Sequence, residues 1–279
     1  MGCRPAPQPD RRHLVPATAV LLVLISTVLH AGWNTRLHRS ADPETTAALS
    51  YLLVGIVLLP AVWFDPPSEV LGWVVASAAA QGVYMALLGT AYRTGSLSVA
   101  YPISRGTAPL LVGLGGWLLL DETPTAATAT GLVVLVGGLL VLAGLGNQLQ
   151  ERRAVVLAAV TGLCTVAYSL IDARSVDLTG SLGYLSVIMI LSSGSVLLGR
   201  RPGWARMRFV LGSSAIVGAG QGGAYALVLL AFQQAQAGQV AGLRQISVVL
   251  GVLLAREALG PRSLWGSLLV AAGATLVIW

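Results

Sequence analysis

Long apolar stretches, separated by short polar breaks, run along almost the whole chain. They cover residues 14–35, 45–64, 70–92, 98–120, 124–145, 154–173, 178–199, 207–233, 237–255 and 261–279. Most of these stretches are close to the ~20 residues that a helix needs to cross a hydrocarbon layer ~30 Å thick. The pattern predicts an all-α integral membrane protein with ten transmembrane helices, and it leaves little chain for a domain in water.

The ten stretches fall into two sets of five that share short phrases in the same order. Gln81 recurs as Gln221, and Arg105 recurs as Arg244, each arginine seven residues into its stretch. A duplicated unit with an odd number of spans must insert its second copy upside down, which is the inverted repeat of secondary transporters. We therefore expect two inverted five-helix repeats. The predicted units are a tail (1–13), a first repeat (14–145), a linker (146–153) and a second repeat (154–279).

Composition supports a membrane protein and argues against nucleic acid as a partner. Of the 279 residues, 55% are hydrophobic and only 10% are charged, whereas soluble domains carry about a quarter charged residues. All 17 basic residues are arginines, and most of the net charge of +6 lies at helix ends and in short loops. Such arginines contact lipid headgroups and help to set topology. The lipid bilayer is the expected partner.

Residue types that enzymes and metal sites require are sparse. The two cysteines, Cys3 and Cys164, have no metal-site spacing, and none of the three histidines is spaced as a ligand with another. A Walker-type glycine loop is also missing. We therefore expect no catalytic residues, no metal and no cofactor.

The acidic residues contribute a further expectation. Those that accompany the apolar stretches lie near the ends of those stretches: Asp121, Glu122, Asp172, Asp177 and Glu257. This placement predicts that no carboxylate lies deep in the protein to carry a proton, and leaves His30 and Asp172 as weak candidates for that role.

Arg105 and Arg244 are the first candidate site residues. A charge at that depth in a membrane usually faces the bundle interior or a water-filled cavity. The forked guanidinium suits a carboxylate, although snorkelling or a structural ion pair would also explain either arginine. Other polar and aromatic residues are predicted to line a substrate cavity. Alternatively, they join helices by hydrogen bonds or anchor them at the membrane interface. These residues are Trp33, Asn34, Gln81, Tyr84, Tyr101, Tyr168, Gln221, Tyr225 and Gln245.

Three phrases carry a resemblance to a known family. They are His30-Ala31-Gly32-Trp33-Asn34, Ala100-Tyr101-Pro102-Ile103-Ser104-Arg105-Gly106, and Leu243-Arg244-Gln245-Ile246-Ser247. Over residues 14–279 the chain resembles the EamA-domain transporters of the drug/metabolite transporter superfamily. The resemblance implies two EamA repeats, a central cavity that opens alternately to each side, transport of small metabolites such as amino acids, and cytoplasmic termini in the cell membrane. The arginines of the short loops favour the opposite orientation.

The chain departs from the family pattern in its second half. Family members commonly have Arg-Glu in the ninth helix, where this chain has Arg244-Gln245. Arg105 lies seventeen residues before Glu122, but Arg244 lies only thirteen before Glu257, a loss of about one helical turn of ~3.6 residues. A degenerate second half is therefore one alternative.

The predicted function is secondary transport of a small carboxylate-bearing metabolite, such as an amino acid, by alternating access. Alternatives are a multidrug-type exporter, which would need an embedded carboxylate for cationic cargo, and a non-enzymatic accessory protein or degenerate paralogue. The expected oligomeric state is a monomer or a homodimer.

Overall fold

Every regular element in the described part of the chain is helical. The computed structural model describes residues 14–94, 97–143, 152–254 and 260–279. Its α-helices are α1 (Ala17–His38), α2 (Pro43–Phe64), α3 (Leu71–Thr94), α4 (Leu97–Leu119), α5 (Ala126–Ala143), α6 (Arg152–Ser175), α7 (Ser181–Arg200), α8 (Trp204–Phe232), α9 (Ala237–Leu243), α10 (Ile246–Leu254) and α11 (Pro261–Val277). One 3-10 turn, Ser68–Val70, precedes α3.

Five of the described helical segments are long and apolar enough to cross a membrane. By length and composition these are Ala17–His38, Pro43–Phe64, Ser68–Leu88, Ser181–Arg200 and Trp204–Phe232. Many of their leucines, valines and tryptophans are exposed on the outside of the bundle, as a surrounding layer of lipid requires. The all-helical membrane fold agrees with the sequence expectation, and the remaining predicted spans stay a prediction.

The helices of the two halves pack mainly against each other. α1 packs on α8, α3 on α6, α2 on both α7 and α8, α3 also on α7, and α5 on α11. α4 packs on α5, α6 and α9. The core therefore lies between the halves rather than within either of them.

Glycines allow α5 and α11 to approach very closely. A Cβ on Gly138 would lie 2.7 Å from the Val270 amide nitrogen, and one on Gly273 would lie 2.5 Å from the Leu135 amide nitrogen. Without a hydrophobic driving force between helices in lipid, such close backbone packing is a main source of association.

The two ends of the bundle are closed by different contacts. At one end the Val15 amide donates to the Ile278 carbonyl at 3.1 Å, so the first and last described helices meet there. At the opposite end, Arg200 pairs with Glu44 and Arg206 pairs with Asp42. The two ion pairs join the start of α2 to the end of α7 and to the start of α8.

Asp42 has a second role at that end, because it also caps α2. Its carboxylate accepts the Thr45 amide at 3.3 Å. Burial alone would raise the pKa of Asp42, but the hydrogen bonds from Thr45 and the ion pair with Arg206 outweigh burial and lower it. Asp42 therefore stabilises the fold above its ordinary pKa, and this contribution is lost as the pH falls through the lowered value.

The ninth apolar stretch is not one helix. α9 begins with a capping box between Gln236 and Gln239, and Glu122 accepts the Ala237 amide at 2.9 Å. The helix ends after two turns at Arg244, where backbone bonds run between residues three apart, as from Gln245 to Gly242. The prediction of a single span over 237–255 is wrong in this respect, since the chain breaks at the predicted site arginine.

Neighbouring glycines of α5 offer a matched test of the close packing. A Cβ on Gly137 meets nothing within 4 Å, whereas one on Gly138 meets the backbone of α11. Both Gly→Ala changes gain the same helix propensity of about 1 kcal/mol, so this term cancels. We predict that Gly138→Ala is less stable than Gly137→Ala by about 1–3 kcal/mol, the usual cost of overpacking. Equal thermal unfolding of the two variants in detergent would contradict the packing described here.

Candidate functional site

A small cavity lies at the centre of the bundle, between the two halves. Its volume is about 30 Å³, which is room for roughly one or two water molecules. The lining residues are His30, Trp33, Tyr51, Gln81, Tyr84, Tyr168, Met189, Gln221, Ala224, Tyr225 and Arg244.

Aromatic side chains form much of the cavity wall. The rings of Tyr84 and Tyr168 pack edge to face at 5.8 Å between centroids, and Tyr168 packs on Tyr225 in the same way at 5.9 Å. His30 and Trp33, from α1, pack at 4.8 Å. Edge-to-face contacts hold the rings in fixed relative orientations, so the wall is preformed.

Arg244 supplies the positive charge of the cavity. It lies at the break between α9 and α10, and its guanidinium carbon is 5.9 Å from the centroid of the Tyr225 ring. Among the residues that the structure describes, no carboxylate forms an ion pair with it. A ring face satisfies a cation only weakly. Arg244 therefore keeps capacity for an anionic partner.

Two further donors belong to residues of the cavity wall. The indole nitrogen Nε1 of Trp33 and the amide nitrogen Nε2 of Gln221 are buried and form no hydrogen bond with any residue that the structure describes. A buried donor without an acceptor costs about 1–3 kcal/mol, so such groups usually have a functional reason. Together with Arg244 they give the cavity three donor groups that a bound acceptor would satisfy.

A buried carboxylate lies beside the cavity, which corrects the expectation that no acidic residue is deep in the protein. Asp172 is 0% exposed, although it lies one turn before the end of α6. The end of α6 is covered by α3, α7 and α8, so that nearness to a helix end does not mean nearness to water.

Four donors from three helices hold the Asp172 carboxylate. Ser77 Oγ and Tyr184 Oη donate to Oδ1, each at 2.5 Å, while Gln81 Nε2 donates to Oδ2 at 3.2 Å and Tyr225 Oη also donates to Oδ2. We call these five residues the Asp172 cluster. Gln81 and Tyr225 belong both to the cluster and to the cavity wall, so the two sites share side chains.

The structure brings most of the predicted site residues together. Those that line the cavity are Trp33, Gln81, Tyr84, Tyr168, Gln221, Tyr225 and Arg244. Arg105 and Tyr101 lie in α4, in a stretch whose side chains are outside the described ones.

Asn34 and Gln245 do not line the cavity. Each follows a residue that does, and neighbouring helical residues point ~100° apart, since a turn holds ~3.6 residues. The Gln245 amide nitrogen donates to the Ala241 carbonyl at 3.0 Å, within its own segment.

Other lining residues were not predicted. Tyr51 belongs to one of the phrases that the two halves share, Ser50-Tyr51-Leu52, and this repetition was the signal that could have selected it. Met189 and Ala224 carry no such signal, because apolar residues are common at every helical position of this chain. His30 belongs to the phrase that carries the resemblance and also lines the cavity.

Metal ligation has no support in the described residues. Within them, no group of three or more His, Cys, Asp or Glu side chains is placed to hold a metal ion.

Comparison with known proteins identifies the fold and the family. Residues 17–144 match the model of the EamA-like transporter family. The match covers the first half of the chain, and the family is part of the drug/metabolite transporter superfamily. Over these residues the chain is therefore similar to membrane transporters, as the phrases of its first half predicted.

The fold likeness extends over both halves. A solved structure described as "Crystal structure of protein" superposes with a TM-score of 0.75 over 93% of this chain and 96% of its own, at 17% identity. At that identity the likeness shows the fold alone. No curated protein sequence matches this chain.

The Asp172 cluster generates a stability prediction. Tyr184→Phe removes one donor from a buried carboxylate and should destabilise the protein by about 1.5–3 kcal/mol, as for hydrogen bonds to charged groups. Tyr168→Phe is the matched control, because the Tyr168 ring also lies in the core but its hydroxyl forms no hydrogen bond with a described residue. Thermal unfolding in detergent measures both variants; loss of stability in Tyr168→Phe alone would refute the role given to the cluster.

Proposed function

We propose that the protein is a secondary transporter of a small carboxylate-bearing metabolite, such as an amino acid, across the cell membrane. The match of residues 17–144 to the EamA-like transporter family supports transport as the activity. The observation that carries the substrate class is a set of donors at one cavity: Trp33 Nε1 and Gln221 Nε2, which have no acceptor among the described residues, and the Arg244 guanidinium, which has no carboxylate partner among them. A carboxylate has the charge and the lone pairs to satisfy all three.

Alternating access between two inverted five-helix repeats is the proposed mechanism. In such repeats α1, α2 and α3 would correspond to α6, α7 and α8. The packing of α1 on α8 would then correspond to the packing of α6 on α3. The packing of α2 on α8 would correspond to the packing of α7 on α3. The contacts of α2 with α7 and of α5 with α11 each join two corresponding helices, so exchanging the halves leaves these contacts unchanged. This exchange of roles is what a two-fold axis between the halves would produce, and it supports the proposal of two inverted repeats with a cavity between them.

Closure at the ends of the bundle fits the same mechanism. The ion pairs Glu44–Arg200 and Asp42–Arg206 join the two halves at one end, and they would have to separate for the cavity to open there. The broken ninth stretch places Arg244 between two short helices, and such discontinuous helices form substrate sites in other transporter folds.

An exporter of organic cations is the second candidate, because the structure contains the embedded carboxylate that such cargo would need. Asp172, however, does not line the cavity, and four donors already occupy its oxygens. Arg244 does line the cavity and would repel a cation. The arrangement therefore favours an anionic group as cargo.

Binding by Arg244 is the direct test of the substrate class. Purified protein is first screened by thermal shift with amino acids, organic acids, nucleosides and organic cations, since a ligand of the folded state raises its apparent stability. We predict that carboxylates stabilise the protein and that Arg244→Ala weakens their binding about 10- to 100-fold, as expected for the loss of a charged hydrogen bond.

The control for this experiment is Arg208→Ala, which removes an exposed arginine of α8 and should leave binding unchanged. Stabilisation by organic cations but not by carboxylates would contradict the proposed substrate class.

Arg105 is predicted to act with Arg244, because the two occupy matching places in the repeats. In liposomes that contain the purified protein, Arg105→Ala should abolish uptake of the labelled carboxylate found in the screen, with no loss of folded protein by gel filtration. Normal uptake by this variant would remove Arg105 from the proposed site.

A further inference from the structure

We infer that Asp172 is a proton-binding site whose occupancy is coupled to the anion site of the cavity, so that a proton is taken up together with the anionic ligand. The inference that Asp172 binds a proton rests on the geometry of the Asp172 cluster. The inference that this proton accompanies the ligand rests in addition on the proposed function.

The partners of Asp172 suit both of its ionisation states. Three of the four are hydroxyl groups, from Ser77, Tyr184 and Tyr225, and the fourth is the amide of Gln81. A hydroxyl can donate to a carboxylate and, after rotation, accept from a carboxylic acid. An arginine or lysine partner could only donate and would hold the aspartate ionised. A purely structural carboxylate has no need of reversible partners.

Among the described residues, no cation contacts the Asp172 carboxylate. The titratable groups that face Asp172 are Tyr184 from α7, Tyr225 from α8 and, at longer range, Tyr51 from α2. α3 presents Ser77 and Gln81, and residues 108–119 of α4 contain no titratable group. The side chain of Arg105 in α4 lies outside the described ones. Arg244, from the break after α9, lies on the ring of Tyr225 rather than on the carboxylate.

Tyr225 connects the proton site to the anion site. Its hydroxyl donates to Asp172, while its ring faces both the cavity and the guanidinium of Arg244. Gln81 makes a second connection, since it bonds Asp172 and Ser77 and lines the cavity. A change of protonation at Asp172 therefore alters hydrogen bonds of two residues that would contact a ligand.

Electrostatics sets the sign of the coupling. With Asp172 ionised, an anion beside Arg244 would give this poorly solvated region two negative charges and one positive charge among the described groups. Uptake of one proton from water by the carboxylate makes it neutral and leaves the anion paired with Arg244. Proton binding therefore strengthens anion binding, and by reciprocity anion binding strengthens proton binding.

Infrared spectroscopy tests the proton site without any ligand. Purified protein in lipid, labelled with 13C at the aspartate carboxyl carbon, is titrated from neutral to acidic pH. We expect a labelled C=O band of a protonated carboxylic acid that is lost in Asp172→Asn and retained in Asp177→Asn, which changes an exposed aspartate five residues later. The same band in Asp172→Asn as in wild type would overturn the inference.

A second variant keeps this test decisive if Asp172→Asn does not fold. Tyr225→Phe retains the titratable group but removes one of its donors, and it should move the pH at which the band is half developed. An unchanged midpoint would overturn the link between Tyr225 and the proton site.

Coupling is measured by adding the carboxylate selected in the thermal-shift screen to weakly buffered protein with a pH dye. We expect uptake of protons by wild type and none by Asp172→Asn, and an affinity in wild type that rises with falling pH, up to about tenfold per pH unit for one proton. Ligand binding with no proton uptake in wild type would overturn the coupling while leaving the proposed substrate class intact. Failure of every carboxylate to bind would instead count against the proposed function, and the infrared result would stand.

Discussion

A charged group inside a membrane protein has to be satisfied by the protein, because neither lipid nor a packed core can solvate it. This constraint is clearest at Asp172. Its four hydrogen bonds come from α3, α7 and α8, and with α6 they join four helices from both halves at one buried point. The position of the cavity wall follows from this, since Gln81 and Tyr225 are held by the same carboxylate.

The polar groups of the bundle interior differ in whether they are satisfied. The oxygens of Asp172 are fully occupied, whereas Trp33 Nε1 and Gln221 Nε2 have no acceptor and Arg244 has only an aromatic face among the described residues. The hydrogen bonds to Asp172 hold helices together. The donors without acceptors would gain hydrogen bonds from a bound ligand, which would favour binding. Their contact through Tyr225 gives a route by which charge at one site affects the other.

Repetition is the sequence signal that best selects residues of the cavity wall. Arg244, Gln81 and Gln221 were selected because the two halves share their phrases, and the structure places all three on the cavity. Repetition does not predict the burial of Asp172. Its position near a helix end also does not show which other helices cover that end. The break at Arg244 was also unpredictable, since no proline precedes it and the tight turn depends on tertiary packing.

The measurement that tests this account most directly is an experimental structure of the protein with the carboxylate that stabilises it most. The account predicts an expanded cavity in which the ligand carboxylate lies within hydrogen-bonding distance of the Arg244 guanidinium and accepts from Trp33 Nε1 or Gln221 Nε2. A ligand bound outside this cavity, or one that presents a cationic group to the cavity while Arg244 points away, would contradict it.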